Sequence, residues 1–158
     1  MKKKNLEWRN CSEDALQGRI AGVLDELAQP GTLILLEGGL GAGKSSFARG
    51  LITLLSGPGQ SAGSPTFPLV QEYRALRGFT VYHIDLYRLK SVDELYHSGI
   101  AEQIEDETAL TLVEWPSLFP DYFEPFLSGR VLRRVVVIGI TAGAEGTRCY
   151  SIAMQSRS

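Results

Sequence analysis

The chain has 158 residues, of which 44% are hydrophobic and 22% are charged, and its formal net charge is −2. This is ordinary globular composition, which excludes a predominantly disordered chain. Two cysteines and two histidines are too few for a disulfide scaffold and argue against a zinc cluster. The slightly acidic balance lacks the basic footprint that free-standing nucleic-acid-binding proteins carry.

The length is typical of one domain, and we expect residues 1–158 to form a single one. No apolar run approaches the roughly 18 residues of a membrane-spanning helix. The lysines at positions 2–4 are not followed by the apolar stretch of a secretory signal. We therefore expect a cytoplasmic protein that does not enter a membrane.

The first third of the chain predicts two helices and a strand around a glycine-rich loop. Ser12 is a candidate N-cap, and an apolar stripe at helical spacing predicts a helix over residues 12–29. The continuous apolar run at residues 33–36 is typical of a strand that is buried on both faces. Residues 38–43 form the glycine-rich loop, and a helix is predicted over residues 44–55.

The middle of the chain predicts a long turn followed by strands. Residues 57–65 are rich in glycine, proline and serine and predict a loop within the domain. Strands are predicted over residues 69–73 and 79–85. Residues 91–94 match a capping box that opens a short helix, and residues 109–114 predict another buried strand.

The last part of the chain predicts an antiparallel hairpin. Residues 117–130 suggest an irregular connection that is rich in aromatic side chains. Strands are predicted over residues 131–140 and 149–154, joined by a glycine-containing turn at residues 142–146. Together the elements predict an α/β domain whose central sheet is partly parallel and partly antiparallel and is flanked by helices.

The most specific motif is Gly-Gly-Leu-Gly-Ala-Gly-Lys-Ser at residues 38–45, which matches the phosphate-loop pattern G-x-x-x-x-G-K-[S/T]. It follows a predicted strand and opens a predicted helix, where backbone N–H groups and the helix N-terminus bind a polyphosphate. Lys44 would reach the β- and γ-phosphates, and the Ser45 hydroxyl would bind Mg²⁺. A chance glycine-rich turn is the alternative, and the strand–loop–helix context argues against it. The motif therefore predicts a single-domain P-loop NTPase-like α/β sandwich.

Carboxylates that end two predicted strands are candidates for the rest of the site. Glu114 could hold Mg²⁺ directly or through water, and a solvated strand-end glutamate is the alternative. Asp85 could orient the attacking water or bind a water of the metal, and a helix cap or a partner for Arg88 is the alternative. His83 shares a strand face with Asp85, and we interpret it as a packed, hydrogen-bonded residue rather than a catalytic one.

Three further features have competing interpretations. The Ser-Pro-Thr segment at residues 64–66 could become ordered when a γ-phosphate is bound, or it could simply form a turn, in which serine and proline are common. Trp115 could stack on a base or fill the core, and its size favours the core. Arg130, Arg133 and Arg134 predict the solvated face of an edge strand.

Four segments, in the same order along the chain, resemble the TsaE (YjeE) family. They are residues 38–50, which contain the phosphate loop, and residues 64–70, 82–89 and 112–116. The resemblance covers residues 31–116 and extends more loosely to the rest of the chain. Four motifs in order are more specific than the phosphate loop alone.

The resemblance implies a small bacterial cytoplasmic ATPase that is required for N6-threonylcarbamoyladenosine at position 37 of tRNAs reading ANN codons. Members act with a TsaB–TsaD pair, in which TsaD transfers the threonylcarbamoyl group. They bind ATP and Mg²⁺ and hydrolyse ATP, a reaction expected to be slow alone and stimulated by the partners. Contact with tRNA is then expected only through the partners, in line with the acidic balance of the chain.

The resemblance also assigns roles to individual residues. Asp85, Lys44 and Thr66 are expected to serve catalysis, and Ser45 and Glu114 to hold the metal. The nucleotide is expected to be bound by Gly39, Leu40, Gly41, Ala42, Gly43, Lys44, Ser45, Ser46, Trp115 and Arg148.

Two positions of the phosphate loop depart from the family pattern G-D-L-G-A-G-K-T. Gly39 stands where the family usually has aspartate, so the loop lacks a carboxylate there. Ser45 stands where the family usually has threonine, and it keeps the hydroxyl that Mg²⁺ needs.

Two other functions could use the same loop. A small-molecule or nucleoside-type kinase needs a second substrate pocket and an arginine-rich lid, for which residues 130–134 are the candidate. A nucleotide-gated assembly protein, in which hydrolysis is incidental, is the other alternative. A GTPase that reads guanine through an N-K-x-D segment is excluded, because both asparagines, Asn5 and Asn10, precede the loop.

Overall fold

A computed structural model describes residues 2–59 and 69–156. Residues 64–66, which include Thr66, lie outside this part of the chain, so the switch-loop role stays a prediction. The strands are β1 (Lys2–Cys11), β2 (Thr32–Glu37), β3 (Val70–Arg74), β4 (Thr80–Asp85), β5 (Leu110–Glu114), β6 (Arg134–Ala142) and β7 (Arg148–Ser156). The helices are α1 (Glu13–Gly22), α2 (Leu24–Leu27), α3 (Lys44–Ser56), α4 (Val92–His97), α5 (Ile100–Glu105) and α6 (Pro120–Leu127). In these two ranges no helix is both long enough and apolar enough to cross a membrane.

The described strands form one seven-stranded sheet in the order β1-β7-β6-β2-β5-β4-β3. The inner strands β6, β2, β5 and β4 run parallel to one another. The outer pairs β1–β7, β7–β6 and β4–β3 are antiparallel. This mixed sheet, with helices on both faces, confirms the predicted α/β sandwich.

The alternating side chains of β2 supply both halves of the core. Leu33 and Leu35 belong to the cluster that α4, α5 and α6 cover. Ile34 and Leu36 belong to the cluster that α1 and α3 cover. Because both faces of this central strand are buried, its sequence is a continuous apolar run rather than an alternating one.

The parallel strands end at one edge of the sheet. In the register, Leu36 lies opposite Glu114, Asp85 lies opposite Glu114, and Glu37 lies opposite Gly139. The phosphate loop leaves β2 at this same edge. Ligands of open α/β sheets bind outside the carboxyl ends of the strands, so this edge is where the site is expected.

The helix predicted over residues 12–29 is interrupted at Val23. Ser12 caps α1 as predicted, since its Oγ accepts a hydrogen bond from the Ala15 N–H at 3.2 Å. Val23 has φ −125° and ψ 15°, which is not helical, and it separates α1 from α2. The apolar stripe therefore continues across a non-helical residue that separates two helices.

The prediction of an irregular connection at residues 117–130 is wrong, because α6 occupies most of it. Pro120 lies in the first turn of α6, where its missing N–H has no intrahelical acceptor to lose. Phe123 and Phe126 are 1% and 6% exposed and pack in the core cluster. Their burial stabilises the helix in spite of Pro125 in its interior.

The prediction that Arg130, Arg133 and Arg134 form the solvated face of an edge strand is also wrong. The strand β6 is an inner strand and begins at Arg134 rather than at residue 131, and of the three arginines only Arg130 is exposed. Arg133 is 3% exposed. Its guanidinium donates to the backbone carbonyl oxygens of Gly31, Ile104 and Asp106. A charge this deeply buried needs such acceptors, and it ties three chain segments together.

Candidate functional site

The glycine-rich loop joins β2 to α3 at the carboxyl edge of the sheet. Gly41 and Gly43 have φ of 70° and 110°, values that disfavour any side chain. A Cβ on Gly43 would lie 2.5 Å from a guanidinium nitrogen of Arg148. The left-handed backbone at position 43 therefore favours glycine, and a larger residue would also require the Arg148 side chain to move.

Lys44 is held against the loop that precedes it. Its Nζ donates to the carbonyl oxygens of Gly38 and Gly39 at 2.7 and 2.8 Å, and lies 3.9 Å from the centroid of the Trp115 ring. The residue is 5% exposed. Burial lowers the pKa of the ammonium group, and nearby carboxylates, first among them that of Glu114, raise it. The loop carbonyls and the ring thus fix the position of this cation.

Ser45 and Glu114, the two predicted metal ligands, are in contact. The Ser45 hydroxyl lies 3.0 Å from Oε1 and 3.3 Å from Oε2 of the carboxylate and donates to it. Ser45 is in the first turn of α3, and Glu114 ends β5, the strand beside β2. A hydroxyl and a carboxylate are therefore paired at the mouth of the phosphate loop.

His83 is a second neighbour of Glu114, although sequence reasoning left it out of the site. Its Nε2 lies 2.6 Å from Oε2 of Glu114. The two residues are 0% and 2% exposed, respectively. The interpretation of His83 as a packed, hydrogen-bonded residue agrees with this burial. The identity of its partner depends on the pairing of β4 with β5, which the spacing to Asp85 alone does not reveal.

Asp85 ends β4 directly beside the end of β5. Its Oδ1 accepts a hydrogen bond from the Tyr87 N–H at 3.0 Å, which fixes the direction of the carboxylate. Burial raises the pKa of Asp85, the hydrogen bond from Tyr87 lowers it, and the neighbouring Glu114 carboxylate raises it further.

Trp115 lies at the site, where it also packs against the edge of the core. Its backbone is left-handed, with φ 64°, a conformation that costs a bulky residue about 1–3 kcal/mol. This turn directly after Glu114 brings the indole over Lys44, and the ring of Tyr87 lies 4.9 Å from it, centroid to centroid. The core interpretation favoured by the size of the side chain is therefore incomplete.

Lys44, Ser45, Asp85, Glu114 and Trp115 line one cavity of about 290 Å³, and His83 lies behind Glu114, outside its lining. The lining consists of Leu40, Gly41, Ala42, Gly43, Lys44, Ser45, Ser46, Asp85, Tyr87, Glu114, Trp115 and Arg148. Gly39, which was predicted to bind the nucleotide, is not part of this lining and instead offers its carbonyl oxygen to Lys44. Tyr87 is part of the lining and was not predicted.

The family model described as threonylcarbamoyl adenosine biosynthesis protein TsaE matches residues 11–143. The chain belongs to the TsaE family. A TsaE from Rickettsia conorii is 41% identical over 107 residues, which are 68% of this chain and 59% of that relative, so the chain spans less than two thirds of it. A TsaE from Treponema pallidum is 30% identical over 92% of this chain and 96% of its own length.

The crystal structure of YdiB from Bacillus subtilis has the same fold. It superposes with a TM-score of 0.62, over 100% of this chain and 89% of that one, at 24% sequence identity. At this identity the similarity concerns the fold alone.

The side-chain oxygens of Ser45 and Glu114 suit Mg²⁺, which takes few protein ligands, better than a metal ion that is coordinated entirely by protein side chains. In the described ranges no group of three or more His, Cys, Asp or Glu side chains is arranged to hold a metal. In nucleotide sites, Mg²⁺ takes one or two protein oxygens, and phosphates and water complete its shell. The contact between Ser45 Oγ and Glu114 Oε1 provides such a pair.

Glu37 is a further, half-buried acidic residue that sequence reasoning missed. It ends β2 immediately before the loop. Burial raises the pKa of Glu37, while a hydrogen bond with Ser117 and the charge of Lys44 lower it. Its position immediately before the first glycine of the loop is the sequence signal that could have identified Glu37 as part of the site.

Proposed function

We propose that this chain binds ATP with Mg²⁺ and hydrolyses it in the course of tRNA threonylcarbamoyladenosine biosynthesis. The observation that carries the proposal is the contact of 3.0 Å between Ser45 Oγ and Glu114 Oε1 beside the glycine-rich loop. A helix-start hydroxyl, a strand-end carboxylate and a loop lysine are the combination that P-loop NTPases use.

The polyphosphate would be bound by backbone N–H groups of residues 41–46 and by Lys44. The N-terminus of α3 adds partial positive charge at the same place. The ammonium of Lys44, fixed beside the cavity, stabilises negative charge that develops on the phosphoryl oxygens. Trp115 and Arg148, which line the same cavity, are proposed to contact the nucleotide.

Ser45 and Glu114 would hold Mg²⁺. Their side-chain oxygens are hard donors of the kind this ion prefers. When bound, Mg²⁺ supplies charge neutralisation at the phosphate oxygens.

Asp85 is proposed to orient the attacking water by accepting a hydrogen bond from it. Because Oδ1 is held by the Tyr87 N–H, the carboxylate has a fixed direction. Thr66 is proposed to belong to the loop that responds to the γ-phosphate, as the family resemblance implies.

The pathway part of the proposal is supported by the family and by the names of its relatives. The proteins from Rickettsia conorii and Treponema pallidum are both named tRNA threonylcarbamoyladenosine biosynthesis protein TsaE. We propose that this chain acts as one domain, residues 1–158, in the cytoplasm with TsaB- and TsaD-type partners. Turnover is slow alone and faster with the partners, and tRNA is contacted through them.

The kinase alternative is weakened by the position of the arginine cluster. Arg134 lies opposite Thr32 at the amino end of β2, whereas the phosphate loop leaves the carboxyl end. Arg133 is engaged with three backbone carbonyl oxygens, so it is not available as a lid over a phosphate.

The test is Mg²⁺-dependent ATP hydrolysis by the purified chain with and without its TsaB- and TsaD-type partners. We expect stimulation by the partners, its loss in Lys44→Ala, and wild-type behaviour in the control Lys90→Ala, whose side chain is exposed. Complex formation that needs ATP but no turnover would favour the assembly alternative. Tight ATP binding with neither stimulation nor a complex would contradict the pathway assignment.

A further inference from the structure

His83 is buried next to the proposed metal-binding carboxylate. It lies in β4, whose backbone is paired on both sides: His83 is opposite Gln71 of β3 and opposite Leu112 of β5. The ring is 0% exposed, and its Nε2 lies 2.6 Å from Oε2 of Glu114. The backbone of His83 is therefore held by both neighbouring strands, and its ring is enclosed.

The contact also defines which way the hydrogen bond runs. The carboxylate accepts from the Ser45 hydroxyl, and taking it as the acceptor here as well makes Nε2 of His83 the donor. Nδ1, on the other side of the ring, is buried with no hydrogen-bond partner in the described residues. A proton on Nε2 leaves Nδ1 as an acceptor, whereas a proton on Nδ1 would be a buried donor with no acceptor in the described part of the chain.

The Ser45 hydroxyl reaches both oxygens of Glu114, at 3.0 Å from Oε1 and 3.3 Å from Oε2, so His83 is the contact that distinguishes them. Oε2 accepts from His83 at 2.6 Å, and Oε1 is the oxygen nearer to the Ser45 hydroxyl, at 3.0 Å. Carboxylates that bind metals are commonly oriented by hydrogen bonds of this kind, and loss of such a bond costs about 10–100-fold in metal affinity.

We propose that His83 is a positioning residue, which donates from Nε2 to Oε2 of Glu114 and so keeps Oε1 facing Ser45 and the phosphate cavity. This inference rests on the proposed function, because it gives His83 a role in Mg²⁺-assisted nucleotide binding. His83 acts through Glu114 and does not itself contact the nucleotide.

The chain offers a matched pair of substitutions to test this. The amide nitrogen of glutamine can occupy the place of Nε2, whereas that of asparagine can reach only the place of Nδ1. Affinity for a fluorescent ATP analogue is measured with Mg²⁺ and with EDTA. In His83→Asn, we expect the affinity measured with Mg²⁺ to fall about tenfold and the affinity measured with EDTA to change little. In His83→Gln, both affinities should stay within a few-fold of the wild type.

Several outcomes would overturn the proposal. An unchanged Mg²⁺ effect in His83→Asn would show that the hydrogen bond does not matter, and an equal loss with and without Mg²⁺ would indicate packing alone. Failure of the wild-type chain to bind the analogue at all would instead contradict the proposed function, so the two failures are distinguishable.

A spectroscopic measurement tests the hydrogen bond in the unmodified protein. The chain has two histidines, so the ring ¹⁵N signals of His83 can be assigned by comparison with a His97→Gln variant, in which the other, exposed histidine is removed. We expect a proton on Nε2 of His83. A neutral ring protonated on Nδ1 alone would contradict the proposal.

Discussion

The Ser45 hydroxyl donates to the carboxylate of Glu114 across 69 positions of the chain, with Oγ 3.0 Å from Oε1. The parallel pairing of β2 with β5 creates this contact, because it places the start of α3 next to the end of β5. The contact joins the phosphate-loop motif to Glu114, which sequence alone could not distinguish from a solvated glutamate at the end of a strand.

Replacing Ser45 separates the effect of its hydroxyl from the effect of its size. We expect Ser45→Ala to lose most of the Mg²⁺-dependent gain in ATP affinity, because one of the two proposed metal oxygens is removed. Ser45→Thr should remain near the wild type, because it keeps the hydroxyl. Calorimetric titration with ATP, with and without Mg²⁺, checks this, and equal Mg²⁺ dependence in both variants would contradict it.

Asp85→Asn should separate binding from turnover. Asparagine can still accept the Tyr87 N–H bond through its oxygen, so the local fold and ATP affinity should be retained. With its oxygen held by the Tyr87 N–H, the amide would present an NH₂ donor to the water in place of an accepting oxygen, and the hydrolysis rate should fall by about 100-fold or more. Single-turnover hydrolysis beside equilibrium binding measures both quantities. A variant that hydrolyses ATP normally would remove Asp85 from the mechanism.

Two glycines of the loop should differ in their tolerance of alanine. Gly43→Ala would place a methyl group 2.5 Å from the Arg148 guanidinium on a left-handed backbone, so we expect weaker ATP binding and a loss of about 1–2 kcal/mol in unfolding free energy. Gly39→Ala meets nothing within 4 Å and should be tolerated. Urea unfolding and ATP binding of the two variants test this. Equal effects would show that the loop is not held as described.

The open space around Gly39 also bears on the absence of the aspartate that the family usually has at this position. A side chain there has room, so Gly39 does not reflect a steric requirement of this loop.

The stability of the chain should depend on pH through Asp106. Its carboxylate accepts from the Thr108 hydroxyl at 2.6 Å and from the Thr108 N–H at 2.8 Å, and these bonds hold its pKa below the ordinary value. A lowered folded-state pKa stabilises the protein above the unfolded-state pKa, and this contribution is lost as the pH falls through the folded-state pKa. We expect Asp106→Asn to be less stable than the wild type at neutral pH and the difference to shrink in acid. Urea unfolding over a pH series measures it, and a pH-independent difference would contradict the assignment.

The parts of the molecule that follow from local sequence were predictable. The spacing of glycine, lysine and serine in residues 38–45 defines the loop, and apolar strands that end in Asp85 and Glu114 identify two partners. These signals lie within short windows, and parallel strands bring their carboxyl ends to one edge whatever their order in the sheet. The role expected of Thr66 stays a prediction.

The features that depend on pairing between distant segments were not predictable. No strand was predicted over residues 2–11. The edge strand β1 buries only Trp8 and Cys11, so no sustained alternation of apolar and polar residues marks it in the sequence. The contact of His83 with Glu114 needs the β4–β5 register, and the burial of Arg133 needs three carbonyls from separate segments. Sequence spacing carries no information on such contacts.

Comparison of wild type and Glu114→Ala is the most direct test of the central claim, that Ser45 and Glu114 form the Mg²⁺ site of an ATP-hydrolysing chain. Phosphate release and ATP affinity are measured for both proteins with Mg²⁺ present. We predict that turnover is abolished in Glu114→Ala. Tight ATP binding with full turnover in this variant would contradict the assignment.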